Sequence, residues 1–157
     1  MRVAQSLRDR EDGCESKDRL AYAIWEFWNE QYLGSATGGF RAVVPPRSAR
    51  LYRLMADRPH PWVISPDMHV MQGQVELAEV RWDAETMTLS GKATRPAGEA
   101  GNLFILAPPG FAVADPRGLW IARDGNDHSL IIARRFAFGE QPEEWSVRFT
   151  AIGAPPG

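Results

Sequence analysis

Aromatic side chains are the residues of this sequence with the clearest potential to bind a ligand. The 157 residues include six tryptophans, seven phenylalanines and three tyrosines. Flat aromatic faces can stack on sugar rings, but the same side chains also fill the cores of β-rich proteins. We expect Trp28, at a strand end, and Trp62, beside a pair of prolines, to be the most exposed tryptophans. Trp120 is the third candidate for a stacking surface.

Paired carboxylates are the second kind of chemistry to consider, because two of them at a set distance carry out most glycoside hydrolysis. Asp83 and Glu85 flank a predicted turn, and Glu143 and Glu144 begin a predicted strand. Nothing around either pair indicates the shielded environment that perturbs a catalytic carboxylic acid. We interpret both pairs as solvated charges and predict no catalytic residue in this chain.

Patterns for metal ligands and nucleophiles are weak. None of His60, His69 and His128 has another histidine or a cysteine at the spacing of a metal site. Asp67 and His69 would share one face of a strand, but a third ligand is not apparent, so a hydrogen-bonded pair is the favoured interpretation. Cys14, in a polar stretch, is interpreted as an exposed thiol without a catalytic role. The chain contains no phosphate-binding glycine motif and no G-x-S-x-G motif, and we predict neither a cofactor nor a metal.

Charge and composition exclude several classes of function. Lysine and arginine total 18 and aspartate and glutamate total 20, which gives a net charge of −2 and no basic surface for nucleic acid or an anionic membrane. The charged N-terminus has no apolar segment typical of a signal peptide. The single cysteine weakly favours a reducing compartment such as the cytoplasm.

The elements that would position these side chains are short strands separated by Gly, Pro and Asp turns. This punctuation is typical of an antiparallel β-sandwich, of jelly-roll or immunoglobulin-like type, and we find no convincing helix. Mixed parity around Glu79 predicts a β-bulge. The predicted strands are 20–28, 39–44, 49–55, 62–65, 74–82, 86–94, 102–107, 119–124, 129–138 and 143–152.

Three regions follow from this pattern. Residues 1–18 form a polar tail, residues 19–57 an additional three-stranded segment, and residues 58–157 the sandwich itself. The boundary lies where two prolines within three residues, Pro59 and Pro61, stiffen the chain. Because three strands with aromatic faces need a cover, we expect 19–57 to pack onto the sandwich or onto a second copy of the chain.

Four segments of the sequence resemble a known family. Residues 25–34, 40–54, 60–73 and the hairpin residues 80–91 are similar, in this order, to β-rich segments that follow the (β/α)8 barrel of bacterial melibiase-like and other α-galactosidase-like glycoside hydrolases. Arg47 departs from the family pattern, which often has histidine there. The resemblance covers most of residues 19–157 and implies that 19–57 is the end of a preceding sandwich.

The resemblance also implies what this chain lacks. The catalytic aspartates of these enzymes lie on barrel strands upstream of this region, and a barrel of about 250 residues does not fit into 157. No catalytic residue can therefore be carried over to this sequence.

These observations lead to three hypotheses about function. The first is a non-catalytic accessory or structural domain that packs against or stabilises a glycosidase catalytic domain. The second is a carbohydrate-binding module that uses Trp28, Trp62 or Trp120. The third is a structural protein that associates with a second copy of itself.

Overall fold

The computed structural model describes residues 20–72 and 75–152, which form strands joined by turns and loops. The predicted tail, with Cys14, lies outside the described residues. All strand pairings are antiparallel, so the predicted all-β class is confirmed. None of the described residues belongs to a helix long and apolar enough to cross a membrane. The strands are β1 (Ala21–Glu26), β2 (Gln31–Thr37), β3 (Tyr52–Ala56), β4 (Trp62–Pro66), β5 (Leu77–Asp83), β6 (Thr88–Ala93), β7 (Ala100–Ala107), β8 (Phe111–Val113), β9 (Leu119–Arg123), β10 (Leu130–Ala137) and β11 (Glu143–Ala151).

The chain divides into two compact units, one ending at Asp57 and the other beginning at Arg58. In the N-terminal unit, β1 is the central strand of a three-stranded sheet of order β2-β1-β3. Its residues Ala23, Ile24 and Trp25 are all buried, as suits a central strand rich in aromatic and β-branched residues.

The second strand of this sheet is not where the sequence predicts it. The predicted strand 39–44 is loop, and the partner of β1 is β2, which follows after a tight turn at residues 27–30. Gly34 lies within β2 at a φ of 90°, in the stretch where the β1–β2 register shifts. A bulge therefore admits the glycine without ending the strand.

The C-terminal unit is a sandwich of two four-stranded sheets, of order β4-β7-β10-β9 and β5-β6-β11-β8. One alternating set of side chains from each sheet faces inward, and these residues form a single core. The core members are Leu89, Ala93, Leu103, Ile105, Ala107, Leu130, Ile132, Phe136, Phe138, Trp145, Val147 and Phe149.

Three local features of this unit bear on the predictions. The bulge near Glu79 is confirmed, because the β5–β6 register shifts between Ala78 and Arg81 and Glu79 has a φ of 54°. Strand β8 was not predicted, because it has only three residues, directly after the turn at Gly110. The chain from Asp67 to Gln72 forms bends and turns, so Asp67 and His69 do not share a strand face.

Candidate functional site

The three candidate tryptophans differ sharply in exposure. Trp28 is 56% exposed and Trp120 is 60% exposed, whereas Trp62 is only 3% exposed. The expectation that Trp62 is exposed is wrong, because Trp62 lies in β4 opposite Leu106 of β7 and the preceding Pro61 is itself buried. Trp62 therefore has no free face for a ligand, and the stacking candidates are Trp28 and Trp120.

Trp28 lies in the turn between β1 and β2, and the carboxylate of Glu26 holds this turn in place. The backbone N–H groups of Trp28 and Asn29 donate to Glu26 at 3.1 and 2.9 Å, and the Asn29 amide donates to the same carboxylate. Arg50 contributes an ion pair at 3.3 Å. Since the Glu26 side chain is almost fully buried, these partners compensate its charge. Phe27 packs edge-on against the Trp28 ring, with centroids 5.0 Å apart, and so fixes the indole.

Trp120 lies on β9, at the edge of its sheet. It pairs with Ala133 of β10, and Ala122, on the same face of β9, pairs with Ile131. The indole thus stands beside small or half-buried neighbours on an accessible sheet face. Trp28 and Trp120 belong to different units, and each is a separate candidate.

The carboxylate pairs are engaged in turns and surface contacts. Asp83 accepts from the backbone N–H groups of Glu85 and Thr86 at 2.9 and 3.3 Å. The Thr86 backbone hydrogen bond is the main cause that lowers the pKa of Asp83. Glu144 is largely exposed and lies 4.0 Å from Lys92. A lowered pKa suits a carboxylate that caps a turn and is the opposite of what a general acid needs.

The predicted hydrogen-bonded pair of Asp67 and His69 is wrong, because the two side chains have other partners: Asn102 for Asp67 and the Met71 N–H for His69. Asp67 accepts hydrogen bonds from the backbone and the amide side chain of Asn102, both at 2.6 Å, and so ties the end of β4 to β7. His60 stacks parallel to Trp82, with ring centroids 5.5 Å apart. Over the described residues, no group of three His, Cys, Asp or Glu side chains is arranged to hold a metal ion.

A buried charged cluster was not anticipated from the sequence. Glu76 is 3% exposed, and its Oε1 lies 3.8 Å from both His69 Nδ1 and Arg95 Nη1. Neither carboxylate oxygen has a hydrogen-bond partner among the described residues. Arg95 also pairs with Glu99 at 2.5 Å. The opposite charges compensate one another in the interior and link the segment after β4 to the β6–β7 connection. No spacing of residues in the sequence predicts this cluster.

A polar cleft of about 630 Å³ lies over strands β5, β6 and β11. Its walls include the cations Arg81, Lys92 and Arg134. Lys92 is paired with Glu79 at 3.0 Å, and Arg134 donates to the Ser146 carbonyl at 3.2 Å. Because Lys92 and Arg134 are already partnered and the cleft is open to water, the cleft is a weak candidate for tight binding.

The chain was compared with protein-family models, with curated proteins and with solved structures, and none of the three comparisons produced a match.

Proposed function

We propose that the chain is a non-catalytic accessory β domain related to the C-terminal regions of α-galactosidase-like glycoside hydrolases. The observation that carries this proposal is the structural role of the four segments that resemble this family. Among the described residues, many side chains of these segments pack in the interior or hold turns.

The 60–73 segment illustrates this use. Trp62, Ile64, Ser65 and Pro66 are all buried, and the Ser65 hydroxyl donates to the Pro66 carbonyl at 3.0 Å. These strand residues contribute to stability, because their apolar area is removed from water.

The 80–91 hairpin is used in the same way. Trp82 packs between His60 and Phe149, and Leu89 is a core residue. Gly91 lies so close to the indole of Trp145 that an added Cβ would be 2.9 Å from Cζ2. These contacts give the tryptophan, the leucine and the glycine at these positions a packing role.

Hydrolytic activity of the 157-residue chain is the direct test. We expect no turnover of nitrophenyl α-galactosides or other nitrophenyl glycosides above a heat-inactivated sample. The matched variants convert Asp83 and Glu85, or Glu143 and Glu144, to the corresponding amides. Turnover that accompanies the purified chain and falls in either double variant would overturn the proposal.

A binding experiment tests the accessory role itself. An α-galactosidase-like barrel from which the C-terminal β region has been deleted should bind the chain, and the same barrel with that region intact should not. Equal binding to both barrels, or binding to neither, would count against an accessory domain of this family.

A second candidate function, carbohydrate binding, is favoured by the fixed and exposed indole of Trp28. Sugar recognition combines an aromatic face with nearby hydrogen-bond donors. Arg50 is held near the same turn by Glu26, and a guanidinium has five N–H donors.

Calorimetric titration with galactose-containing oligosaccharides tests the second candidate. Trp28→Ala should abolish binding, while Trp120→Ala should leave it unchanged because Trp120 belongs to the other unit. The absence of heat with the unsubstituted chain would exclude this candidate.

A further inference from the structure

Over the described residues, the C-terminal unit has four edge strands, β4, β5, β8 and β9, and three of them are protected against pairing with another chain. Strand β4 is buried along most of its length and ends in a proline, which has no N–H to donate. Strand β5 is interrupted by the bulge at Glu79, and β8 has only three residues. Short, bulged and proline-containing edges are the usual means by which proteins prevent unwanted sheet extension.

Strand β9, the fourth edge, has none of these protections. It runs for five residues without a proline or a register shift against β10. Its two central side chains are apolar and accessible, with Trp120 at 60% exposure and Ile121 at 36%. An apolar, regular edge of this kind is a template for a further strand.

The hairpin geometry shows which backbone groups of β9 point outward. The Asp124 N–H donates to the Ser129 carbonyl at 2.8 Å, in continuation of the β9–β10 register. Directions of backbone groups alternate along an antiparallel strand. The N–H and C=O groups of Ile121 and Arg123 therefore point away from β10, toward the open edge.

We propose that β9 pairs antiparallel with β9 of a second copy of this chain, about a two-fold axis at Ile121, to form a continuous eight-stranded sheet. In this register each Ile121 exchanges both backbone hydrogen bonds with its symmetry mate. Each Arg123 N–H donates to the Leu119 carbonyl opposite. The Leu119 N–H is already bonded to the Pro116 carbonyl at 3.1 Å, so it needs no partner.

The side chains are complementary in the same register. Trp120 lies opposite the partner's Ala122, a large residue against a small one, and its ring reaches toward the partner's Ile131. Two Trp120 side chains are covered in one symmetric contact, as an isologous interface requires. The charged Arg123 faces Leu119 rather than another Arg123, so no like-charge pair opposes the contact. This self-complementarity favours a second copy over an unrelated strand.

Sedimentation of the full chain over a concentration series tests the proposal. We expect a monomer–dimer equilibrium that is weakened at least tenfold by Trp120→Ala and by Ile121→Pro. Proline at position 121 removes only an outward N–H, so the β9–β10 ladder is left intact. The control Trp28→Ala should not change the equilibrium. A monomer at about 1 mM chain, or a dimer that neither β9 variant weakens, would overturn the proposal.

Crosslinking provides a second measurement that does not depend on disruptive variants. In a Cys14→Ser background, Ile121→Cys should yield a covalent dimer with a short bismaleimide, because paired Cα atoms across the strands are about 5.5 Å apart. The matched control is Val80→Cys, on edge strand β5 and 42% exposed. Equal crosslinking at both positions would contradict a β9-specific contact.

Discussion

At the scale of single residues, Gly91 is a tight packing constraint that involves the backbone of a neighbouring strand. A Cβ at this position would lie 2.9 Å from Trp145 Cζ2 and 3.2 Å from the Ala78 carbonyl oxygen. The backbone carbonyl cannot move aside as a flexible side chain could. We predict that Gly91→Ala lowers the free energy of unfolding by about 1–3 kcal/mol, measured by denaturant titration. Gly125→Ala is the control, because nothing lies within 4 Å of its Cβ position. An equal effect of both substitutions would refute this explanation.

A second residue-scale prediction concerns Asp115 and Arg117. The Arg117 side chain donates to both carboxylate oxygens of Asp115 and lowers the pKa of Asp115 to about 2. Since the pKa is lowered in the folded chain, the pair contributes to stability above the usual aspartate pKa and is lost as the pH falls toward 2. An NMR titration should place the Asp115 midpoint near 2. Arg117→Ala should raise this midpoint toward the usual aspartate value, while the backbone N–H of residue 117 still donates to the carboxylate and keeps the pKa of Asp115 somewhat lowered. A midpoint that is unchanged by the substitution would contradict the pairing.

Residue exposure was only partly predictable from the sequence. Trp28 is exposed because it lies in a turn, and the turn residues around it are visible in the sequence. Trp62 stands beside two prolines that also look like a turn, yet it begins a buried strand. Its environment depends on β7, about 40 residues later in the chain, and local residue types carry no information about such a partner.

At the scale of elements, the β5–β6 hairpin depends on the carboxylate of Asp83. Its acceptance of the Glu85 and Thr86 N–H groups closes the turn. Asp83→Ala should speed amide exchange at Glu85 and Thr86 and modestly lower the thermal midpoint. Glu85→Ala, in the same turn, leaves both hydrogen bonds intact and should have little effect. Hydrogen exchange followed by NMR distinguishes the two variants.

Element boundaries were predictable where the turn chemistry is local. The hairpins at Asp83 and at Asp124 have side-chain oxygens that accept from the following backbone N–H groups, and the sequence marks both of them. The end of β1 was predicted two residues too late, at residue 28, because the cap of the β1–β2 turn is Glu26, the last residue of the strand, which accepts from the following turn. A glutamate in a strand is an unusual cap, and no standard turn pattern includes it.

At the scale of the whole molecule, stability rests on the core between the two four-stranded sheets. Ile132 is fully buried in this core, while the adjacent Ile131 is half-buried on the opposite face of β10. Ile132→Ala should lower the free energy of unfolding by about 3 kcal/mol, because it removes apolar burial and leaves a cavity. The same substitution at Ile131 should cost about 1 kcal/mol or less. Similar losses at both positions would mean that β10 is not layered as described.

The all-β class followed from alternation and turn punctuation, which are local properties of the sequence. The strand orders did not, since β4 pairs with β7 and β6 with β11 across long stretches of chain. Such non-local pairings are selected by the total burial of both sheets. The Glu76 cluster was not predictable either, because it joins residues from separate segments of the chain.

The proline at the end of β4 has a consequence for assembly. A sheet with two open edges can add copies without limit and grow into a fibre, whereas a sheet with one open edge is saturated after a single addition. Pro66 and the burial of β4 close the far side of the sheet that contains β9. Pairing through β9 would therefore end at two chains. The exposed edge strand would not lead to polymerisation through this sheet.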